Sequence, residues 1–186
     1  MKTKKNVDVK AVALGGLTAA VYFAVTSFLA PISFGMIQFR MAEILNLMAF
    51  FHPAYAIGVT IGCFFSNLLL PSSFGLADVL IGTFCTGLSV LAVTKTKSLF
   101  LASLCPAVFN IPVAGVIAYY TEAPFVLTAG YVFLGQIAVV TVVGYPLFRF
   151  VILKNKALVN FISLGRNDRK GVYDGNAKLP EMQEGI

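Results

Sequence analysis

VALGGLTAAVYFAVTSFLA, residues 12–30, runs without one charged side chain. It does not alternate polar and apolar residues, as a strand of a membrane barrel does over about ten residues. With every backbone N–H and C=O needing a partner inside lipid, the remaining solution is a helix. About 20 apolar residues span a bilayer, and this run is close to that length. The basic segment before it, MKTKKNVDVK (1–10), resembles the start of a secretion signal. The run is too long for that and more apolar runs follow, so it reads as a retained first span.

The rest of the chain has the same character. It holds 186 residues, 58% of them hydrophobic and 12% charged, with a mean hydropathy of +0.85. Soluble domains carry about 25% charged residues. The composition therefore defines an integral membrane protein. Phe is abundant and Trp absent, so an interfacial aromatic belt falls to Tyr and Phe.

Charges, prolines and glycines cut the sequence into six apolar segments, at about 9–30, 39–51, 54–70, 76–93, 98–120 and 125–153. The second, ending at His52-Pro53, is too short to span as an ordinary helix. We expect it to tilt or to sit in the outer part of the bundle. Three basic clusters separate these segments: Lys2, Lys4, Lys5 and Lys10; Lys95 and Lys97; and Arg149, Lys154, Lys156, Arg166, Arg169 and Lys170. An even number of spans puts all three on one side, which the positive-inside rule makes cytoplasmic. The expected fold is thus an all-α membrane protein, a compact bundle of six transmembrane helices with both termini cytoplasmic. Residues 1–8 form a cytoplasmic lead, 9–155 the membrane domain and 156–186 a flexible polar tail.

The net charge of +6 does not indicate nucleic acid, because the charges gather at the chain ends and loops. Cys63, Cys85 and Cys105 lie in apolar runs without CxxC spacing, and there is one His, so neither a zinc site nor a disulfide framework is expected. No P-loop is present to power transport. HExxH and GxSxG are absent too, as are evident inverted repeats. No cofactor is implied.

Two features carry chemistry. Helix one has small residues four apart, Gly15 with Ala19 and Gly16 with Ala20 and Ala24. Such stripes let helix backbones approach closely in lipid, either within the bundle or against a partner. The second feature is a set of polar residues. Gln38, Arg40, Glu43, Asn67 and Asp78 all fall in the extracytoplasmic half of this topology. Ionisable groups at membrane depth require a partner or a polar cavity. Arg40 and Glu43, three apart, can pair with each other, and Asp78 can serve the dipole of its helix. Their convergence on one side also suits an outward-facing pocket. Asn110 and Gln136 can bridge helices or line that pocket. Gly58 and Gly62 suit packing, and His52 suits a turn.

PISFGMIQFRMAEIL (31–45), GVTIGCFFSNLL (58–69) and ADVLIGTFCT (77–86) resemble the QueT family of substrate-binding S components of energy-coupling factor (ECF) transporters. The resemblance spans about residues 8–155. It implies a multi-pass plasma-membrane subunit without enzymatic activity. Its expected partners are an ECF transmembrane coupling subunit and two ATPase subunits, with docking through Gly15, Gly16, Ala19 and Ala20. The implied ligand is a queuosine precursor, queuine or a related 7-deazaguanine. Phe34, Gln38, Arg40, Glu43, Asn67 and Asp78 are the implied binding positions, with Asn110 and Gln136 as further candidates.

For such a ligand, one carboxylate, Glu43 or Asp78, accepts the adjacent N–H and amine of the guanine-like edge. Gln38 or Asn67 donates to the ring carbonyl, Phe34 or Phe39 stacks on the base, and Arg40 orients Glu43. The chain departs from the family pattern at Leu70-Pro71-Ser72-Ser73-Phe74, where a Gly-rich link is usual, and at Met48-Ala49, where Leu-Pro is frequent. Two alternatives share parts of this reading: an S component for another small vitamin, and a small membrane enzyme pairing Glu43 or Asp78 with His52. The topology places His52 on the opposite face.

Overall fold

A computed structural model describes residues 9–34, 38–70 and 75–164; the lead 1–8 and most of the expected tail lie outside the described residues. Among the described residues every regular element is helical. Four helical stretches are long and apolar enough to cross a membrane: Val9–Phe28, Gly75–Lys95, Leu99–Thr121 and Phe125–Ile152. Two shorter apolar helices, Met41–Phe50 and Ala54–Leu69, complete the bundle.

Helix α1 (Val9–Phe28) is uninterrupted; at about 1.5 Å per residue it is roughly 30 Å long. Pro31 ends the run, inside the short α2 (Ala30–Ser33). The segment Met41–Phe50 follows as a 3-10 helix. Runs of 3-10 winding beyond three or four residues are uncommon. Here the winding stretches ten residues to about 20 Å, where an α-helix would give about 15 Å. This element does not sit at the outside of the bundle, as its length led us to expect. It packs against α1, α3 (Ala54–Leu69), α4 (Gly75–Lys95) and α5 (Leu99–Phe109). Leu47, Ala49 and Phe50 are buried in the main core with Phe51, Val59, Val90, Val139 and Phe148. A short segment fits there because the neighbouring helices shield it, so it needs no lipid-facing length of its own.

Close helix contact organises the first half. A Cβ on Gly58 would stand 2.2 Å from the carbonyl oxygen of Gly15, and one on Gly62 2.7 Å from Cβ of Tyr22. Helices α1 and α3 therefore touch backbone to backbone, the geometry that small residues four apart permit. Helix α4 begins at Gly75, whose φ of +60° suits glycine.

The fifth segment is two helices. Pro106 lies within α5, and α6 (Ile111–Thr121) starts with Pro112 in its first turn; proline lacks the N–H a continuous helix needs, so the chain turns at Asn110. The sixth segment is α7 (Phe125–Gln136), a π-helical stretch Ile137–Gly144, the short α8 (Tyr145–Leu147) and a second π-helical stretch Phe148–Ile152. A second, smaller apolar cluster joins Cys85, Val113, Ala114, Ile117 and Val132.

The start of the expected flexible tail is ordered. Helix α9 (Lys156–Ile162) is capped by Asn155, whose Oδ1 accepts from the N–H groups of Ala157 (3.0 Å) and Leu158 (3.2 Å). Val159 and Ile162 are buried, and the Tyr55 hydroxyl donates to the Ile162 carbonyl at 3.1 Å. Two apolar side chains and a capped first turn hold a segment whose overall composition is polar.

Candidate functional site

Four elements meet at one end of the bundle: the last turns of α1 and α3, the first turns of α4, and the entry to the 3-10 helix. Each delivers polar side chains on a helical spacing. Tyr22 lies on the same face of α1 as Gly15 and Ala19. Cys63 and Asn67 are one turn apart on α3. Asp78, Gly82 and Thr86 form a stripe on α4, and Glu43 and Asn46 are three apart on the 3-10 helix. All seven polar side chains are buried, Glu43 and Asp78 completely.

Glu43 is enclosed by neutral donors. The Tyr22 hydroxyl donates to Oε1 at 2.9 Å, Thr86 donates to the same oxygen at 3.4 Å, and Asn46 Nδ2 donates to Oε2. An ionised carboxylate only accepts, and here both oxygens are served. Arg40 takes another direction. Its Nη2 donates to Asn67 Oδ1 at 2.9 Å and stands 3.6 Å from Asp78 Oδ2. The latter is ion-pair range but beyond a hydrogen bond. The expected Arg40–Glu43 pairing is therefore corrected: three neutral donors satisfy Glu43, so the guanidinium is left to offset Asp78. Asn67 is the hinge of the arrangement, since its Nδ2 donates to the Asp78 backbone carbonyl at 3.3 Å and to the Cys63 sulfur at 3.5 Å. Gly82 lets α4 come this close; a Cβ there would stand 2.9 Å from Asn67 Nδ2 and 3.3 Å from Asp78 Oδ1.

Several buried polar atoms have no hydrogen-bond partner among the described residues: both carboxylate oxygens of Asp78, Nε of Arg40, Nε2 of Gln38 and Oδ1 of Asn46. Unpaired polar atoms away from water are costly, and here several of them gather in one cluster. Gln38 adds strain to this, with φ at +47° in the left-handed region. Phe34, buried, sets its ring 5.3 Å from the Arg40 guanidinium carbon, a cation–π contact. Phe39 is more than a third exposed.

The structure thus brings Phe34, Arg40, Glu43, Asn67 and Asp78 together, with Gln38 in the turn leading in. Asn110 and Gln136 are buried as well, Asn110 at the α5–α6 junction and Gln136 at the end of α7. No hydrogen bond joins either to Arg40, Glu43 or Asp78, although Gln136 Oε1 also lacks a partner among the described residues. Tyr22, Asn46, Cys63 and Thr86 escaped the sequence reading. Their spacing from Ala19, Glu43, Asn67 and Asp78 is the signal that finds them. His52 is a turn residue, its Nδ1 accepting from the Ala54 N–H at 3.1 Å. It lies beyond the end of the 3-10 helix at Phe50, whose residues 44–50 alone carry the chain about 14 Å from Glu43. No group of three or more His, Cys, Asp or Glu among the described residues is placed to hold a metal ion.

On α1 the small-residue stripe splits into two faces. Gly15 is buried against Ala54 and Gly58, and Ala19 lies against Gly62, whereas Gly16 and Ala20 are exposed. Between α1 and α3 runs an apolar groove of about 390 Å³, lined by Ala11, Val12, Gly15, Gly16, Ala19, Ala54, Ile57, Gly58 and Ile61.

An all-helical bundle with four helical stretches long and apolar enough to cross a bilayer is the architecture of an integral membrane protein, here with a buried polar cluster at one end. The family described as QueT transporter matches residues 12–152, and the chain belongs to that family. It is 35% identical over 155 residues to the Queuosine precursor transporter QueT of Lactococcus lactis subsp. cremoris (strain MG1363), an alignment covering 74% of this chain and 88% of that protein. No solved structure matches the chain. The family is one of transporters, so the enzyme alternative with His52 falls away.

Proposed function

We propose that this chain is the substrate-capture subunit of an ECF-type importer in the plasma membrane. It takes a queuosine precursor, queuine or a related 7-deazaguanine, from outside. The carrying observation is the buried cluster of Arg40, Glu43, Asn67 and Asp78 with its unpaired polar atoms, in a chain 35% identical to a named queuosine precursor transporter. A planar base edge rich in adjacent donors and acceptors is the kind of group such a cluster recognises.

In this reading the four long helices and two short ones make six crossings, with both termini cytoplasmic and the cluster facing outward. Basic residues at the chain ends and in the Lys95–Lys97 link support that orientation. Arg40 and Asn67 hold the site in shape, Asp78 and Gln38 meet the ligand, and Phe34 covers Arg40. Asn110 and Gln136 are bundle residues with no assigned ligand contact. Transport energy comes from partners, a coupling subunit and two ATPases. The exposed Gly16 and Ala20, with the groove behind them, offer the coupling subunit a close-packing face.

The test is ligand identification. Protein purified from cells grown with queuine is denatured, and the released small molecules are read by mass spectrometry. We expect a 7-deazaguanine at near one per chain, and none from Arg40→Ala protein. Release of a different vitamin would refute the substrate while leaving the architecture standing.

A further inference from the structure

The end of the bundle opposite the polar cluster carries charge of one sign. Helix α4 ends at Lys95, and Lys97 follows in the link to α5. The last membrane-length stretch closes through Arg149, with Lys154 and Lys156 just past it. All of these side chains are exposed. The acids among the described residues lie elsewhere. Glu43 and Asp78 sit in the cluster, and Glu122 follows α6 at the far end of its span. Helix α9 crosses the basic end. It begins at Lys156, just past Ile152, where the membrane-length stretch stops. Its other end is tied to the first turn of α3, where the Tyr55 hydroxyl donates to the Ile162 carbonyl. Both ends of α9 therefore stand at the level where spans begin and stop, so the helix runs along the membrane boundary. Val159 and Ile162 enter the core, but Leu158 and Phe161 do not: they are 39% and 65% exposed. Their spacing of three puts them on one face. Lys154 marks the same boundary. Its Nζ stands 5.7 Å from the ring of Phe150, which is 60% exposed within the membrane-length stretch and so faces lipid.

We propose that α9 is an interfacial anchor that binds anionic phospholipid. Leu158 and Phe161 enter the boundary between headgroups and acyl chains, the place of an amphipathic helix whose apolar side has no protein partner. Lys154 and Lys156 hold the lipid phosphates, with Arg149, Lys95 and Lys97 adding positive potential at the same end. The charge pattern selects the headgroup. A zwitterionic lipid brings a cation of its own, and no carboxylate among the described residues of this end is there to receive it. An anionic lipid brings only the charge that the lysines lack. The start of the polar tail is thus held from two sides, by the core through Val159 and Ile162 and by lipid through Leu158 and Phe161. The substrate reading plays no part in this inference.

The chain has no Trp, so Phe161→Trp installs a single fluorescent reporter at an exposed position. The full chain with this change is placed in lipid nanodiscs of equal parts phosphatidylcholine and phosphatidylglycerol, with bromine on the acyl chains of one lipid or the other. We expect the indole to emit at the blue-shifted wavelength of an interfacial site. Brominated phosphatidylglycerol should quench it more than brominated phosphatidylcholine, corresponding to a relative affinity of at least about fivefold, the value for one lysine at an anionic surface. Adding Lys154→Gln and Lys156→Gln should bring the two quenching values together, and raising the salt should narrow the gap. Both lysines are exposed, so these changes leave the packing of Val159 and Ile162 alone. Equal quenching by the two lipids, or a phosphatidylglycerol preference unchanged in the lysine variant, would overturn the proposal. A water-like emission that neither brominated lipid quenches would overturn it too, and would assign this face to a protein partner.

Discussion

Glu43 and Asp78 are two carboxylates in one buried cluster, yet their surroundings give them different work. Glu43 is held by Tyr22, Asn46 and Thr86 and resembles a structural acid. Removing the Tyr22 hydroxyl by Tyr22→Phe leaves a buried carboxylate oxygen short of its best donor. We expect a loss of about 1–3 kcal/mol, read as a lower unfolding midpoint in detergent. Gln38 makes the opposite trade. Its left-handed backbone costs about 1–2 kcal/mol for a residue with a Cβ, and its Nε2 has no partner among the described residues. Gln38→Gly relieves the backbone and deletes the amide. The unfolding midpoint should hold or rise, while ligand affinity measured by titration falls. A variant that binds as before would remove Gln38 from the site.

At the level of helices, the interface of α1 with α3 sets how closely Tyr22 approaches Glu43. Gly58 allows this, because a methyl group there would overlap the Gly15 carbonyl. Gly58→Ala should force the helices apart and cost about 1–3 kcal/mol or more. Gly16→Ala, with nothing within 4 Å of the added atom, serves as the control and should hold or raise the unfolding midpoint. The 3-10 helix Met41–Phe50 is the other decisive element. Its pitch gives a short apolar segment the reach to present Arg40 and Glu43 at the site while Phe50 and Phe51 pack at the far end. Periodicity cannot announce such a helix. A ten-residue apolar run fits α and 3-10 winding alike, and neighbours chose between them.

For the whole molecule, the predicted consequence concerns assembly. Ala20 lies on the outward face of α1, away from the polar cluster. On the proposed function, Ala20→Phe should abolish co-purification with an ECF coupling subunit and leave ligand affinity unchanged. Retained co-purification would count against this face of α1 as the docking surface.

The sequence by itself determined the solvent and the element type. Long uncharged runs without alternation demand helices in lipid, because no other open structure satisfies the backbone there. It also picked out Arg40, Glu43, Asn67 and Asp78, since charged and amide side chains stand out against an apolar background. The motif around Arg40 pointed to the family that the comparisons bear out. Only the tertiary structure decided who pairs with whom. Arg40 and Glu43 are three residues apart, and local spacing favours their bond. The fold instead brings Asn67, 27 residues further on, within 2.9 Å of the guanidinium, and Tyr22, 21 residues earlier, within 2.9 Å of the carboxylate. Pairing inside a membrane is settled by which donors the packed helices deliver to the same few ångströms, and that depends on Gly58, Gly62 and Gly82 letting backbones touch.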